Sequence, residues 1–560
     1  MGHFKRRTWW IAAVALALAA VALMVLPAGP RTIAGPAWSP SAPEVRGVYH
    51  IHTVRSDGTG TVDEVAAAAA RAGLRFAIVT DHGDGTRRPD PPVYRHGVLC
   101  IDAVEISTTG GHYVALGIGQ TPYPLTGEPR DVVEDVQRLG GFGIVAHPLS
   151  PKRGLAWQDW QAGFDGIEWL NGDSVWRDAP RLRLALAAWA FAFRPVASLT
   201  SLYIRPAALD RADLVAGQRR VVFMAGVDAH ARLGARGGGA SSWRSLFLRV
   251  PSYETAFEVA SLGVRLADPL TGDAASDADA IIAAIRAGHL HTLVGGLARP
   301  GAFEFTASSG GVTAEEGDRM PLVGAVTIRV RANVPLGGCI VLFHDGREIA
   351  RASGDGLVYA SNRRGVYRAE VWLEAPRDAR PRPWIVGDPV YIGTPDASPP
   401  PSIDTGGPAI PIATDGRSWT VEHGPGSRAA LDRSAQEVTL RYALADPGPS
   451  AALVSTSAIE PRATGLAFVG RADRPMRISV QVRTSPGGEG LRWRRSVYLD
   501  ETPRDVLVAF GDMTPAAPGA AGSPPVRDLR AVLFAVDAVN TRPGSSGQVT
   551  LGHLRFVSPR

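Results

Sequence analysis

Gly47-Val48-Tyr49-His50-Ile51-His52-Thr53 alternates like a strand, and its second half carries two histidines two residues apart. Successive side chains of a strand leave opposite faces, so His50 and His52 share a face and could chelate one ion. Working outward, Thr61-x-x-Glu64 is a capping box that opens a helix over 61–72, closed at Gly73. Arg75–Thr80 is the next strand, and Asp81-His82 follows it. The pattern recurs: a strand over Val98–Glu105, a helix over Asp131–Leu139, and a strand over Phe142–Ala146 running into His147-Pro148. Asp165–Leu170 and Val221–Ala225 read as further strands, the latter running toward Asp228-Ala229-His230, and Ala278–Ala287 reads as a helix. Strands alternating with helices predict a parallel sheet with helices outside it, open or closed as a barrel. In either form the C-terminal strand ends meet on one face, so donors some 180 residues apart can share a site.

With Asp57, Glu105 and His112, these segments supply nine nitrogen and oxygen donors: His50, His52, Asp57, His82, Glu105, His112, His147, Asp228 and His230. No cysteine is among them, and Cys100 and Cys339 are the only two in the chain. A disulfide framework is thereby excluded, and Cys100, within Val98-Leu99-Cys100-Ile101, reads as a small buried hydrophobe. Imidazole mixed with carboxylate suits Zn, Mn or Fe better than Ca, which takes oxygen alone. Taken singly, an Asp-x-His is more often a capped turn. So many at strand exits predict a polynuclear metal site that hydrolyses something.

Gly47 to Thr53 with Ser56-Asp57-Gly58, a helix and Thr80-Asp81-His82 resemble the opening of the polymerase and histidinol phosphatase (PHP) domain. Glu105-Ile106-Ser107-Thr108 with Gly111-His112, Ala146-His147-Pro148, and Ala225-Gly226-Val227-Asp228-Ala229-His230 resemble its later motifs. The resemblance spans residues 44–300. Tyr367-Arg368-Ala369-Glu370 and Pro383-Trp384-Ile385-Val386 are similar to the tail of the carbaryl hydrolase-type subgroup, which tends to show Ser-Asn-Pro-Ile-Tyr where this chain has Gly387-Asp388-Pro389-Val390-Tyr391. The resemblance implies a distorted (β/α)7 barrel with a trinuclear centre. His50, His52, Glu105 and Asp228 would hold the first ion; Glu105 would bridge to a second with His112 and His147; Asp57, His82 and His230 would hold the third. It implies in-line attack on a phosphoester by a metal-bridging hydroxide, with Glu105 and Asp228 acting through that water. Even one Zn can lower the pKa of bound water from about 15.7 to about 7. The same centre could act on a carbamate or carboxylic ester.

Arg55, Lys152, Arg153 and Arg232 lie near the donors and are candidate cations for a bound anion. Asp81, Glu168 and Asn171 could orient the ligand imidazoles. Gly234–Gly239 reads as a surface loop or as a rim over the site, and it lacks the Lys-Ser/Thr ending of a P-loop. His289 and His291 read as structural, and the apolar run Leu182–Phe193 as a core-packing helix.

At 560 residues the chain exceeds one core, and several domains are expected. The net charge of +5 comes from arginines scattered among acids, with no nucleic-acid footprint. Lys5, Arg6 and Arg7 precede the apolar run Trp9–Leu26, so residues 1–29 read as a signal peptide or membrane anchor, with the rest exported to the periplasm or another extracytoplasmic space. Residues 30–43 read as a tether, 301–393 as a small β domain and 394–417 as a linker. Over 418–560, short alternating strands predict a β-sandwich, and Leu491–Asp500 with Phe510–Met513 resembles a carbohydrate-binding-module jelly roll. Trp493 could stack on a sugar there, docking the protein on a glycan or envelope surface, or sit in the core. A surface-binding protein with an idle barrel is the non-enzymatic alternative.

Overall fold

The computed structural model describes residues 26–36, 38–232, 249–375, 378–394, 407, 409–414 and 418–559. Residues 1–25 of the N-terminal signal or anchor segment, the Gly234–Gly239 loop and most of the 394–417 linker lie outside the described residues. The chain divides into two compact units, one of Met1–Gly83, Pro89–Ile118 and Val136–Ala397, the other of Asp84–Arg88, Gly119–Asp135 and Ser398–Arg560.

The first unit begins with β1 (Glu44–Tyr49), α1 (Val62–Arg71), β2 (Phe76–Val79) and β3 (Val98–Asp102). These strands pair in parallel, β1 with β2 and β2 with β3. Helix α1 starts where the sequence placed it: Thr61 accepts from the Glu64 amide while the Glu64 carboxylate accepts from the Thr61 amide. Its Val65, Ala66, Ala68 and Ala69 are buried. Next come β4 (Val104–Thr108), β5 (Gly111–Leu116), α2 (Pro129–Arg138, of which the residues to Asp135 belong to the second unit), β6 (Phe142–Ala146) and β7 (Gly166–Asn171). Four helices, α3 (Gly172–Arg177), α4 (Arg181–Phe191), α5 (Pro195–Leu202) and α6 (Ala207–Ala216), lead to β8 (Val222–Gly226).

The second sheet runs β8-β7-β6-β5-β4, with β8, β7 and β6 parallel but β5 antiparallel to both of its neighbours. The all-parallel expectation is corrected here, and so is the single strand over Val98–Glu105. The chain changes sheets at Ala103, so β3 and β4 belong to different sheets. Two single parallel bridges link the two sheets, His82 beyond β2 with Glu105 of β4, and Ile51 beyond β1 with Ala229 beyond β8. Strands β2, β6, β7 and β8 are buried throughout, as strands covered on both faces must be.

Two more elements bear on the frame: α7 (Tyr253–Val259) precedes β9 (Ser261–Arg265), and α8 (Ala274–Ala287) precedes β10 (Leu290–Leu293). Strand β9 pairs antiparallel with both β1 and β10. The sheet then continues into the following region, because His291–Leu293 pair with Ile385–Gly387 of the strand Asp378–Gly387. Within residues 301–393 a four-stranded antiparallel sheet contains Phe303–Ser309 and Val326–Ala332, and Phe303, Phe305, Ile328, Tyr367 and Trp384 share one core. The Tyr367–Glu370 motif has a structural role: buried Arg368 donates Nε and Nη2 to Asp213 of α6 at 2.9 and 2.8 Å, and Nη1 to Glu370 at 2.5 Å. Asp388 accepts the Phe223 amide at 2.8 Å and so ties the start of β8. Arg31–Thr32, inside the stretch read as a tether, pair in parallel with Ala298–Arg299.

The second unit is mostly antiparallel: two six-stranded sheets enclose a core that includes Trp419, Phe468, Trp493 and Phe534. Trp493 is interior, and its indole N–H donates to the Gly522 carbonyl at 2.8 Å. The sugar-stacking reading of Trp493 is corrected accordingly. Every described Trp and Phe of residues 418–559 is buried.

Candidate metal centre

The nine expected donors lie together, and all but the fully buried His50 line one cleft. His50 and His52 follow β1, His82 follows β2, Glu105 lies on β4, His112 on β5, His147 after β6, and Asp228 and His230 after β8. Asp57 comes from the turn closed by the Gly58 amide donating to Thr53 O at 3.0 Å. Their atoms form overlapping groups able to hold an ion: His52 with Asp57, His82 and His230; His50 with His147 and Asp228; His50 with His52 and Glu105; and His82 with Glu105 and His112.

Glu105 is the hub. Its Oε1 lies 2.8 Å from His112 Nδ1 and 2.9 Å from His147 Nε2, while its Oε2 lies 3.1 Å from His82 Nδ1 and 3.2 Å from His52 Nε2. Asp228 Oδ1 stands 3.4 Å from both His50 Nε2 and His52 Nε2. On the outer side, Asp57 Oδ1 stands 3.2 Å from His230 Nε2 and 3.7 Å from His82 Nε2. The buried atoms His50 Nε2, His52 Nε2 and Asp57 Oδ1 have no hydrogen-bond partner. A buried polar atom left so is costly unless a ligand or ion meets it, and His50 Nε2 and His52 Nε2 face the same Asp228 oxygen.

The residues behind the donors hold them in place. Glu168 Oε1 receives the His50 Nδ1 side at 2.5 Å, and Glu168 Oε2 accepts the His147 amide and Asn171 Nδ2, both at 2.8 Å. Asn171 Nδ2 also reaches Asp228 Oδ2 at 3.2 Å, and its Oδ1 accepts the Ser174 amide as the N-cap of α3. Asp81 accepts from the Thr53 amide and hydroxyl at 2.7 and 2.6 Å, which fixes the turn between His52 and Asp57. Gly226 is required for Glu168 to fit, since a Cβ there would stand 2.2 Å from Glu168 Oε1. His50, His147 and Asp228 all have positive φ, at 68°, 32° and 47°. Non-glycine residues are seldom held in that region, and such strain collects at functional sites.

Electrostatics follows the same pattern. Burial works against charge on His52, yet Asp228 and Glu105 outweigh it and raise its pKa to about 9. His50 is also raised, burial being overcome by Glu168, Asp228 and Glu105. The facing imidazoles hold Glu105 and Asp228 well below the usual carboxylate range despite their burial. Asp57 is lowered to about 2, burial being outweighed by His230 first. The cluster is a knot of anions with imidazoles, an arrangement a divalent cation matches in charge and in donor type.

The cleft, about 650 Å³, is bounded by the donor cluster, by Lys152 and Arg232, and by α3, α4 and α5. Of the candidate cations, Arg232 lines it and donates from Nη1 to the Asp57 carbonyl at 3.0 Å, and Lys152 lines it. Arg55 instead pairs with Asp90 and does not border the cleft; neither does Arg153. Arg177 and Trp176 border it and were not foreseen, because α3 follows a strand end without any donor motif. His289 Nε2 lies 3.0 Å from Asp318, outside the cleft, and His291 is buried at β10.

No family model matches the chain. A curated relative, an uncharacterized protein of Methanocaldococcus jannaschii, is 28% identical over 140 residues, covering 22% of this chain and 79% of its own length. A two-domain protein from Bacteroides vulgatus, described as containing a predicted PHP-like metal-dependent phosphoesterase, is 14% identical with a TM-score of 0.29, covering 64% of this chain and 98% of its own. The family 11 carbohydrate-binding module of Clostridium thermocellum is 11% identical with a TM-score of 0.23, covering 27% of this chain and 96% of its own. Neither solved structure is close enough to carry a residue or an activity across.

Proposed function

We propose that the protein is an exported metal-dependent hydrolase of the PHP type, a phosphoesterase, with the two bridged sheets forming its distorted barrel. The observation that carries this reading is the clustering of nine donors, among which the buried His50 Nε2, His52 Nε2 and Asp57 Oδ1 face other donors without a hydrogen bond. His50, His52, Glu105 and Asp228 would hold one divalent ion, Glu105 with His112 and His147 a second, and Asp57, His82 and His230 a third. The split of Glu105, one oxygen toward His112 and His147 and the other toward His52 and His82, suits a carboxylate shared between ions. Zn, Mn or Fe bound there would acidify water and offset the charge that develops on a phosphoryl oxygen. Glu168 and Asn171 orient His50 and Asp228, and Asp81 holds the His52 turn. Lys152, Arg177 and Arg232 offer cations along the cleft to an anionic group.

Export rests on Lys5-Arg6-Arg7 and the apolar run Trp9–Leu26. Among the described residues no helix is long and apolar enough to cross a membrane. Fusion of residues 1–40 to a reporter that is active only outside the cytoplasm tests it: activity supports export, and silence contradicts it.

The catalytic test is hydrolysis of bis-p-nitrophenyl phosphate by the Mn- or Zn-loaded protein beside Asp228→Ala. Turnover lost in the variant supports the phosphoesterase. A metal-loaded protein that cleaves an aryl carboxylic ester but no phosphoester would overturn it.

A further inference from the structure

The apolar run read as a core-packing helix is not buried as such a helix should be. On α4, Leu184, Ala187 and Phe191 line the cleft. Leu182, Leu186, Trp189 and the following Phe193, spaced along the opposite side, are 74%, 44%, 41% and 64% exposed. At 100° per residue these two sets fall on opposite faces, so α4 has an apolar stripe toward the cleft and another toward the surroundings. Leu199 and Leu202 of α5 extend the inner stripe. The lining of the cleft therefore joins a knot of carboxylates and imidazoles to a hydrocarbon stretch on α4 and α5. Arg194, one residue beyond the outer stripe, donates from Nη1 to the Pro27 carbonyl at 3.1 Å. Pro27 is the residue at which the apolar run Trp9–Leu26 ends.

A metal centre acting on a small polar ester has no use for such a wall, and soluble proteins seldom leave a stripe of large side chains uncovered. We propose that the cleft takes an amphiphilic phosphoester from a lipid bilayer. Its phosphoryl group sits at the donor cluster, its alkyl chain lies along Leu184, Phe191 and Leu202, and the outer stripe of α4 rests on the bilayer surface. The neighbouring end of the apolar N-terminal run and the flanking Arg181, Arg183 and Arg194 suit contact with lipid headgroups. This inference rests on the phosphoesterase reading and adds the substrate class to it.

The test uses the full, metal-loaded chain and a series of p-nitrophenyl alkyl phosphates from ethyl to dodecyl, each below its critical micelle concentration. The value of kcat/KM rises roughly tenfold or more along the series, since each buried methylene favours binding by up to about fourfold. Leu184→Ala and Phe191→Ala lower the dodecyl-to-ethyl ratio roughly tenfold, as truncating an apolar wall does. A ratio near one in the unaltered protein overturns the inference while leaving the phosphoesterase standing. No turnover of any member overturns the phosphoesterase itself, and this inference with it. With the dodecyl ester held in phosphatidylcholine vesicles, Leu186→Asp with Trp189→Asp lowers turnover relative to the same ester in solution; an unchanged ratio overturns the bilayer as its source.

Discussion

Glu168 touches no candidate ion position, yet it holds His50 through one oxygen and the His147 backbone and Asn171 through the other. Carboxylates behind ligand imidazoles fix tautomer and orientation, so Glu168→Gln should weaken metal affinity by about 10–100-fold, read by chelator competition. Gly226→Ala should do the same by displacing that carboxylate, with no donor altered. The raised pKa of His52, about 9, makes a further prediction about protons. Without metal, His52 is protonated at pH 7, and its pairing with Asp228 and Glu105 stabilises the fold below its ordinary 6.5 and is lost as pH rises through about 9. Metal needs the neutral imidazole, so loading at pH 7 releases protons and affinity climbs toward pH 9. Calorimetry in buffers of different ionisation enthalpy reads the release, and no buffer dependence would contradict the proton assignment. The nine donors were legible because they fall in short motifs, six of them just beyond a strand end, with Glu105 and His112 inside β4 and β5 and Asp57 in a turn. Arg177 and Trp176 were not, since nothing local marks a helical residue as facing a cleft whose far wall is distant in sequence.

Among the elements, α1 shows local rules succeeding, and β3 to β5 and α4 show them failing. The capping box was readable because its four residues carry the whole interaction; Thr61→Ala should cost about 1 kcal/mol, a Tm loss of about 2–4 °C in a domain of this size. Val98–Glu105 was read as one strand because a change of sheet at Ala103 leaves no mark in apolar periodicity. Tyr113–Leu116 is a short continuous apolar run, which periodicity alone cannot assign, and so the antiparallel β5 went unseen. Helix α4 was found, but not which way its apolar residues face; the spacing of Leu182, Leu186, Trp189 and Phe193 on one side was the available signal. Arg368 makes the element-scale prediction for the motif around it. Asp213→Ala leaves a buried guanidinium short of a partner and should cost about 3–5 kcal/mol, measured by denaturant unfolding.

For the whole molecule, the alternation of strands and helices, then of strands alone, was visible in the sequence as two textures. That the sheet of the first continues past β10 into residues 378–387 was not, because a pairing across some ninety residues depends on register and not on composition. The second unit is a sandwich whose Trp and Phe side chains are interior, so a glycan held by it would be held without a stacked Trp or Phe. Trp493→Ala should cost about 3–5 kcal/mol in that unit, as a large core truncation does, seen as an earlier unfolding transition. The central claim, that one cleft gathers these donors around divalent ions, is met most directly by the metal content of the purified protein after reconstitution with Mn or Zn and removal of free ion. The account predicts about three ions per chain, one for each of the three proposed ligand sets, with at least one lost in Asp228→Ala. A well-folded protein that retains well under one ion per chain would contradict it.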